Sequence, residues 1–573
     1  MINYFSGMKL NITPRSFVSD DFQIEKWEDV EQYITDLVER PLDTLTQFEQ
    51  WLSDKSELEA ILEENLAWRY IQMTIDTRDQ AKAERYAFFI REIQPKLAPY
   101  DDQLNRKMMA SPFVHELTDS SYAIYFRGVN TALKLFRVEN ITLHAKIGEK
   151  SQEFGAIAGA QSIEHDGYQL TMQKAGSLLR ENDETLRKAI FEKINTRRAD
   201  DKVKLDELFT ELIHLRHQIA VNAGFENYRD YKFEELGRFD YTKEDCFDFH
   251  RAIKEEIVPI VKEFYAKQAK QLGKDKLNPW DTEVDPLGRA PLKPFTTGED
   301  LLQKSIQVFD KVDPYFGDCL RKMEEINHLD LESKEGKSPG GYNYPLYEIG
   351  VPFIFMNAVG THRDMVTMLH EGGHAVHSFL SRDLKLTGFK SLPSEVAELA
   401  SMSMELITMD HWNIFFENEE DVKRAIEEQL ETVLKILPWI ATIDEFQHWV
   451  YEYPTHTMEE RHGKWMSLLE DYGTGMVDWS GYEEFQRISW QRQLHLFEVP
   501  FYYIEYGMAQ LGALSVWKNS KTDFKNAVNS YKYALKLGYT KSIPEIYKTA
   551  GIQFDFSQRN VRELAEFIRD VVG

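Results

Sequence analysis

Apolar residues recur at intervals of three and four along most of the chain, a spacing typical of helices with one buried face. The pattern is clearest in residues 19–40 and 45–73, which also carry acidic residues near their starts, where a helix dipole favours negative charge. Similar patterning resumes after residue 176 and continues to the C-terminus. The sequence therefore predicts a mainly α fold.

The helical pattern is interrupted first after residue 140. An Asp166-Gly167 turn lies between two short runs of alternating residues, which predicts a small β-hairpin. The charged stretch 195–204 then suggests a boundary near residue 200, although an exposed helix face would give the same pattern. We expect an N-terminal helical lobe with the hairpin over residues 1–200 and a second helical domain over residues 201–573.

Two later breaks surround the region of greatest chemical interest. A proline-rich stretch over residues 273–295 predicts a loop. A loop containing Gly340-Gly341 leads into Phe353–Met356, which is the clearest strand candidate of the chain, and then into a helix. Another loop, containing Pro393, precedes a second helix. The predicted order is therefore loop, strand, helix, loop, helix.

Composition narrows the classes of function. The formal net charge of −27 repels phosphate backbones, so we expect no nucleic-acid partner. No apolar run approaches the length needed to span a bilayer, and residues 1–17 lack the features of a secretory signal, so we expect no membrane association. The two cysteines, Cys246 and Cys319, are far apart and form no metal-binding or disulfide pattern in sequence, which fits a reducing cytoplasm.

The helix after the predicted strand carries the residues of a metal centre. His370 and His374 are four apart, so their imidazoles project from one helix face and can hold one zinc ion. Glu371 points aside, where it can reach a water at the metal without being a ligand. This is the His-Glu-x-x-His arrangement, in which two histidines hold zinc and the glutamate between them faces the metal-bound water.

A catalytic zinc needs a third protein ligand. A distal histidine after a glycine is excluded, because the sequence has His377 and Leu380 at those positions. His377 itself is expected to pack near the site rather than to bind metal. The second helix offers three carboxylates instead, and position favours Glu398 without excluding the other two, which are Glu395 and Glu405.

Two further features need an explanation. Gly372-Gly373 in a helix interior costs roughly 1 kcal/mol per residue against alanine, so we expect the second helix or the strand to approach closely there. Near the C-terminus, His495 precedes Pro500, where a helix should start, and Tyr502 and Tyr506 share one face of that helix while Tyr503 faces elsewhere. These side chains could stabilise an oxyanion, although tyrosines at helical spacing also pack in cores.

These motifs resemble the M3 metallopeptidases, the group of thimet oligopeptidase and oligoendopeptidase F. The resemblance rests on four separated stretches in the right order, namely residues 336–357, 370–377 with 395–406, 446–461 and 495–514. It covers roughly the C-terminal two-thirds of the chain, and the N-terminal part only in helical character. The size and the acidity resemble the oligoendopeptidase F branch.

The resemblance implies a mainly α, two-lobed metallopeptidase with a deep central channel and a small β element beside the zinc helix. It implies one Zn²⁺ per chain in the C-terminal domain and cleavage of internal bonds in short peptides. Its ligand set matches His370, His374 and Glu398 (Glu405 matches a carboxylate behind the ligands), its base matches Glu371, and its transition-state donors match His495, Tyr502 and Tyr506. The spacing between that histidine and the tyrosines varies among branches.

Several points stay open at this stage. A zinc-dependent carboxypeptidase or dipeptidyl carboxypeptidase uses a similar helix pair, and a peptide-binding protein without activity would be expected to lose Glu371 or a ligand. The strand Phe353–Met356 could pair with an extended peptide by strand addition, and the glycine-rich loops at 338–344 and 472–476 could close over it. The sequence does not predict the oligomeric state.

Overall fold

The computed structural model describes residue 8 and residues 14–572. Most of the expectation about residues 1–17 therefore falls outside the described residues. The first helices of the chain, in order, are α1 (Trp27–Glu39), α2 (Leu45–Ile75), α3 (Gln80–Phe88), α4 (Gln94–Ala110), α5 (Ser120–Leu135), α6 (Val138–Gly159), α7 (Met172–Ser177), α8 (Glu184–Asp200), α9 (Lys202–Asn222), α10 (Tyr228–Glu235), α11 (Lys243–Ala252), α12 (Val258–Gln271), α13 (Gly298–Val312) and α14 (Pro314–Glu325).

The remaining helices follow the strand-rich segment. They are α15 (His362–Ser381), α16 (Thr387–Lys390), α17 (Ser394–Ile407), α18 (Glu419–Glu452), α19 (Met458–Asp471), α20 (Glu483–Arg487), α21 (Leu494–Glu498), α22 (Tyr503–Thr522), α23 (Phe524–Lys536), α24 (Ile543–Thr549) and α25 (Gln558–Val572). The prediction of a mainly α fold is confirmed. None of the helices in the described part of the chain combines the length and apolar character needed to span a lipid bilayer.

The predicted hairpin is present. Strands β1 (Ser162–His165) and β2 (Tyr168–Thr171) pair antiparallel, and the two turn residues Asp166 and Gly167 both have positive φ, at 52° and 79°. A two-residue turn of this kind matches the twist of the paired strands, and glycine and aspartate tolerate the left-handed backbone that it needs. The hairpin prediction is therefore confirmed.

A second, three-stranded sheet has the order β3-β5-β4. Its strands are β3 (Leu329–Glu332), β4 (Tyr342–Tyr344) and β5 (Phe353–Ala358), with β3 parallel and β4 antiparallel to β5. The predicted strand is thus the central one, so both of its edges are already paired. The hypothesis that Phe353–Met356 adds a peptide strand is wrong, because its backbone groups bond to its two neighbours.

The chain forms two compact units, each built from three stretches. Unit 1 comprises residues up to 136, 292–426 and 509–554, and unit 2 comprises residues 137–291, 427–508 and 555 onward. The hairpin belongs to unit 2. The sequence-based division near residue 200 and the deep channel both stay predictions.

Within unit 1, the three-stranded sheet is held between two helices. Phe353 and Phe355 form one apolar cluster with Ala67 and Ile71 of α2. On its other side the sheet contacts α15, the helix that carries the paired histidines. The predicted β element beside this helix is therefore confirmed, and it ties α15 to the core of unit 1.

Candidate active site

Helix α15 starts at a well-defined cap. Thr361 accepts a hydrogen bond from the backbone N–H of Asp364, and the Asp364 carboxylate accepts from the backbone N–H groups of Thr361 and Val359. This reciprocal capping box satisfies amide groups that the first helical turn leaves without partners. It also fixes where the helix begins after β5, and so the direction in which its histidines point.

One nitrogen of each paired histidine faces the same carboxylate. The Nε2 atoms of His370 and His374 lie 3.4 Å and 3.8 Å from Oε2 of Glu398 on α17. One ligand atom from each of the three residues lies within 4.8 Å of the other two. Two imidazoles and one carboxylate are the donor set of a common class of catalytic zinc site. The arrangement can therefore hold a metal ion and leave a fourth position open.

Hydrogen bonds behind these side chains orient them. His370 Nδ1 lies 2.6 Å from Oε1 of Glu405, so the proton on Nδ1 is donated to that carboxylate and Nε2 keeps its lone pair for a metal. Glu398 is held by the Ser401 hydroxyl, which donates to its Oε2 at 3.2 Å. Burial lowers the pKa of the His374 imidazole, and the nearby backbone of Ala397 opposes this effect. The site is thus prearranged by groups on the same two helices.

Electrostatics favour a cation between these side chains. Burial opposes protonation of His370, but the hydrogen bond and the charge of Glu405, together with Glu398 and Glu371, outweigh it and raise the pKa to about 10. Burial lowers the pKa of His374 well below its ordinary value. The three carboxylates therefore favour a positive charge between the two imidazoles. Without a metal, His370 alone carries that charge, because His374 stays neutral.

Glu371 is placed beside the ligand candidates. It is buried, with 7% of its surface exposed, and burial raises the pKa of its carboxyl to about 7. Its backbone oxygen accepts a hydrogen bond from Nδ2 of Asn343 on β4 at 3.2 Å. A carboxylate in such a site can take and return a proton near neutral pH, which is what general acid–base catalysis requires.

The two adjacent glycines of α15 are each required by the close approach of a different helix. A Cβ atom on Gly373 would lie 2.7 Å from Cα of Ser401 and 2.9 Å from the backbone oxygen of Ala400, so this glycine lets α17 pack directly against α15. A Cβ atom on Gly372 would instead meet the ring of Phe309 on α13 at 2.6 Å. The expected approach of the second helix is confirmed at Gly373, while at Gly372 a third helix approaches rather than the strand.

We expect Gly373→Ala to loosen the candidate metal site as well as the fold. Its methyl group meets rigid backbone, so α15 and α17 must separate, at a cost of about 1–3 kcal/mol in the free energy of unfolding. His374 is on α15 and Glu398 is on α17, so separating the two helices moves these two side chains apart and metal affinity should fall too. Thermal unfolding and competition with a chelator measure the two effects.

Gly372→Ala is the matched control for this prediction. Its methyl group meets the end of a phenylalanine ring outside the α15–α17 contact. This variant should lose stability but retain the metal affinity of the wild type. Equal metal affinities of the two variants would contradict the role assigned to the helix contact.

The other acidic and histidine candidates lie elsewhere. Glu395 is on the first turn of α17, is buried, and its backbone oxygen accepts a hydrogen bond from the Tyr547 hydroxyl at 2.9 Å. His377 is 1% exposed, and burial lowers the pKa of its imidazole to about 3. Among the described residues, neither belongs to a group with metal-ligand spacing.

The C-terminal candidates form an aromatic cluster in unit 2. The ring centroids of Tyr502 and Tyr506 are 5.0 Å apart, and each lies 6.0 Å from that of His495. Tyr503 also belongs to the cluster, with its ring 4.8 Å from His495 and 5.7 Å from Tyr506. The expectation that Tyr503 faces elsewhere is wrong.

The backbone explains this difference. Helix α22 begins at Tyr503 and not at Pro500, and Phe501 before it has a φ of 67°. Tyr502 therefore precedes the helix, so the four-residue spacing to Tyr506 is not a helical one. The left-handed residue turns the chain so that Tyr502 and Tyr503 both reach the histidine ring.

A residue that sequence patterns did not indicate sets the state of His495. Trp439 Nε1–H can only donate, and it donates to Oε1 of Gln493 at 3.2 Å. This fixes the orientation of the Gln493 amide, whose Nε2 then donates to Nδ1 of His495 at 2.8 Å. Burial lowers the pKa of His495 to about 4, so the imidazole is neutral and carries its proton on Nε2. No spacing rule marks Gln493, because it lies in a connection between helices.

Comparison with known proteins decides the family. The model described as Peptidase family M3 matches residues 177–566, well over half of the chain. The chain belongs to peptidase family M3. Residues 17–136 match the Peptidase M3 N-terminal domain. The resemblance seen in the motifs is therefore confirmed, as is the prediction of a metallopeptidase of the oligoendopeptidase F type, a family that implies a metal.

Individual members of the family are distant relatives. An oligoendopeptidase F homolog of Borreliella burgdorferi is 23% identical over 418 residues, covering 70% of this chain and 66% of that protein. Oligopeptidase PepF of Bacillus subtilis is 23% identical over 300 residues, covering 52% of this chain and 44% of that protein. The matched part of the chain thus spans about two thirds of one relative and less than half of the other.

A solved structure matches over nearly the whole chain. The structure of PZ peptidase A with an inhibitor superimposes with a TM-score of 0.90 at 26% identity, covering 97% of this chain and 99% of that one. The helical architecture around α15 and α17 therefore belongs to a known peptidase fold.

Proposed function

We propose that this M3 peptidase is a zinc-dependent endopeptidase that hydrolyses internal bonds of short oligopeptides. The observation that carries the proposal is the convergence of His370, His374 and Glu398, with Glu371 buried beside them. The names of the two curated relatives, an oligoendopeptidase and an oligopeptidase, support the class of substrate.

Zinc fits the residues present. The donors are two imidazole nitrogens and a carboxylate oxygen, a set that leaves one of four positions open, as catalytic zinc sites do. When bound, the metal would supply Lewis acidity to the scissile carbonyl and lower the pKa of the attacking water. One ion at this centre satisfies the donors described here.

Glu371 carries out the proton transfers. Its carboxylate accepts a proton from the attacking water and then returns it to the nitrogen of the leaving amine, so that the peptide bond breaks without a free amide anion. The pKa of about 7 that burial gives this carboxyl suits both steps. Glu405 keeps the His370 ring in one orientation throughout.

The family resemblance assigns stabilisation of the oxyanion to His495, Tyr502 and Tyr506, and we propose this role for them. The neutral His495 imidazole presents Nε2–H as a donor, because Gln493 holds its Nδ1 as an acceptor. Tyrosine hydroxyls are donors of the same kind.

Gln493→Glu should make activity depend on pH in a new way. A carboxylate accepts from Nδ1–H, so the pKa of His495 rises from about 4 by about 1–3 units. At a pH above the raised pKa, His495 is neutral with its proton on Nδ1, where the new carboxylate accepts it, so Nε2 has no hydrogen to donate. At a pH below it, the imidazolium carries a proton on each nitrogen, so Nε2 remains a donor. Relative to wild type, kcat should therefore fall by about 10²-fold as pH rises through the new pKa.

Two measurements check this prediction. Nuclear magnetic resonance titration of the His495 ring gives its pKa directly, and the ratio of variant to wild-type kcat is followed across the same pH range. The variant Gln493→Leu serves as control, since it removes the hydrogen bond without adding charge. A constant ratio for Gln493→Glu would show that the protonation of His495 does not matter to turnover.

The alternative is a zinc-dependent carboxypeptidase or dipeptidyl carboxypeptidase. Internally quenched peptides blocked at both ends discriminate between the two, because an exopeptidase needs a free terminus. We expect blocked peptides to be cleaved at rates within a few-fold of their free counterparts. Intact blocked peptides beside cleaved free ones would favour the alternative.

We also propose short peptides as the partners and the cytoplasm as the location. The acidic surface, with a formal net charge of −27, is unfavourable for nucleic acids. The two cysteines are buried and are not joined in a disulfide, which is compatible with a reducing compartment.

A further inference from the structure

A second group of metal-ligand side chains lies in unit 2, on α11 and α18. Cys246 and His250 are four residues apart on α11, and Asp444 and His448 are four residues apart on α18. Residues at this spacing share a helix face about one turn apart. Each helix thus presents two potential ligands to the other.

The side chains meet closely. One ligand atom from each of Cys246, Asp444 and His448 lies within 4.8 Å of the other two. Oδ2 of Asp444 lies 3.2 Å from Nε2 of His448 and 2.8 Å from Nε2 of His250. Around a tetrahedral zinc ion with bonds of about 2.0–2.3 Å, ligand atoms are about 3.3–3.8 Å apart, so little movement is needed.

The group is removed from solvent. Cys246 and Asp444 are 0% exposed, His448 is 2% exposed and His250 is 3% exposed. Aromatic rings surround His448, with those of Phe247 and Phe501 at 4.8 Å and 5.3 Å. An anion in such surroundings is costly without a positive partner.

Asp444 and His448 both carry polar atoms without a hydrogen bond. Oδ1 of Asp444 has no hydrogen-bond partner among the described residues, and neither ring nitrogen of His448 forms a hydrogen bond of good geometry, although its Nε2 lies 3.2 Å from Oδ2 of Asp444. A buried carboxylate normally accepts several hydrogen bonds. These side-chain atoms are the ones that would bind a cation.

We propose that Cys246, Asp444 and His448 form a second, structural metal site for Zn²⁺, with His250 holding Asp444 by a hydrogen bond. A thiolate together with an imidazole selects zinc over magnesium or calcium, which prefer oxygen ligands alone. Binding deprotonates the Cys246 thiol and releases that proton to solvent, so thiolate, carboxylate and dication sum to zero charge. The ion joins α11 to α18 inside unit 2 and takes no part in hydrolysis.

Sulfur distinguishes this site from the peptidase centre. The centre at His370, His374 and Glu398 offers nitrogen and oxygen alone, whereas the second site offers a thiolate. Cobalt bound by a thiolate shows an intense sulfur-to-metal charge-transfer band that nitrogen and oxygen ligands do not give. The test can therefore succeed or fail independently of the proposed peptidase function.

The experiment uses the full chain produced in minimal medium with cobalt or with zinc. Because the chain has two cysteines, Cys319→Ser is the matched control for Cys246→Ser, and both side chains are buried. We expect the charge-transfer band in the wild type and in Cys319→Ser, and its loss in Cys246→Ser. Elemental analysis of the zinc-grown proteins should show about one ion per chain less in Cys246→Ser than in the other two.

Absence of the band from the cobalt protein, with zinc contents equal in all three proteins, would overturn the proposal. The four side chains would then be a hydrogen-bonded part of the core. Should Cys246→Ser fail to fold, the wild type and Cys319→Ser still decide the matter. A band that persists without Cys319 belongs to Cys246, and a band that disappears with Cys319 contradicts the assignment.

Discussion

Glu371→Gln should lower kcat by about 10³-fold while leaving the metal content at the wild-type value. Glutamine keeps the size of the side chain and removes its ability to take a proton from water. The neighbouring His370 keeps its ring position, because the Glu405 carboxylate holds its Nδ1. Steady-state kinetics on a quenched peptide and elemental analysis of the same preparation measure both quantities.

The contrast between the two readouts makes this test specific. A variant that loses metal and activity together would show that Glu371 supports the site structurally. A variant with unchanged kcat would remove Glu371 from the chemistry altogether. Thermal unfolding of the same samples shows whether the fold is retained in either case.

Glu398→Gln should reduce metal affinity more than the 10–100-fold that is typical for residues behind a ligand. An amide is a weaker donor than a carboxylate, and the charge that balances the cation is lost. We expect activity to fall in proportion to metal occupancy and to recover in part at high zinc concentration. Chelator competition and activity against zinc concentration measure this directly.

Glu395→Gln is the matched control. Glu395 and Glu398 are both buried on α17 and are three residues apart, yet Glu398 alone is close to both imidazoles. The control should bind metal like the wild type. Metal loss in Glu395→Gln with retention in Glu398→Gln would exchange the two assignments.

Much of the centre is visible in the sequence. The spacing of His370, Glu371 and His374 is local, so helical periodicity alone brings them to neighbouring turns. The third carboxylate is different, because position in the sequence favours Glu398 but does not exclude Glu395 or Glu405 while the packing of the two helices is unknown. The contact at Gly373 sets that docking, and it depends on tertiary packing rather than on periodicity.

Two sequence expectations failed for related reasons. Phe353–Met356 reads as a strand, but an apolar run does not tell which strands lie beside it, and its partner β4 has only three residues. A helix that starts at Pro500 predicts that Tyr503 faces away from Tyr502 and Tyr506, yet the positive φ at Phe501 moves the start of the helix to Tyr503. Both errors concern backbone geometry that single-residue patterns do not record. Gln493 and the α11–α18 group likewise depend on contacts between segments distant in sequence.

The most direct test of the central proposal is an anomalous difference map collected at the zinc absorption edge from a crystal of the active protein. We predict a peak within about 2.0–2.2 Å of Nε2 of His370, Nε2 of His374 and a carboxylate oxygen of Glu398. An active preparation without a peak between these three side chains would contradict the account.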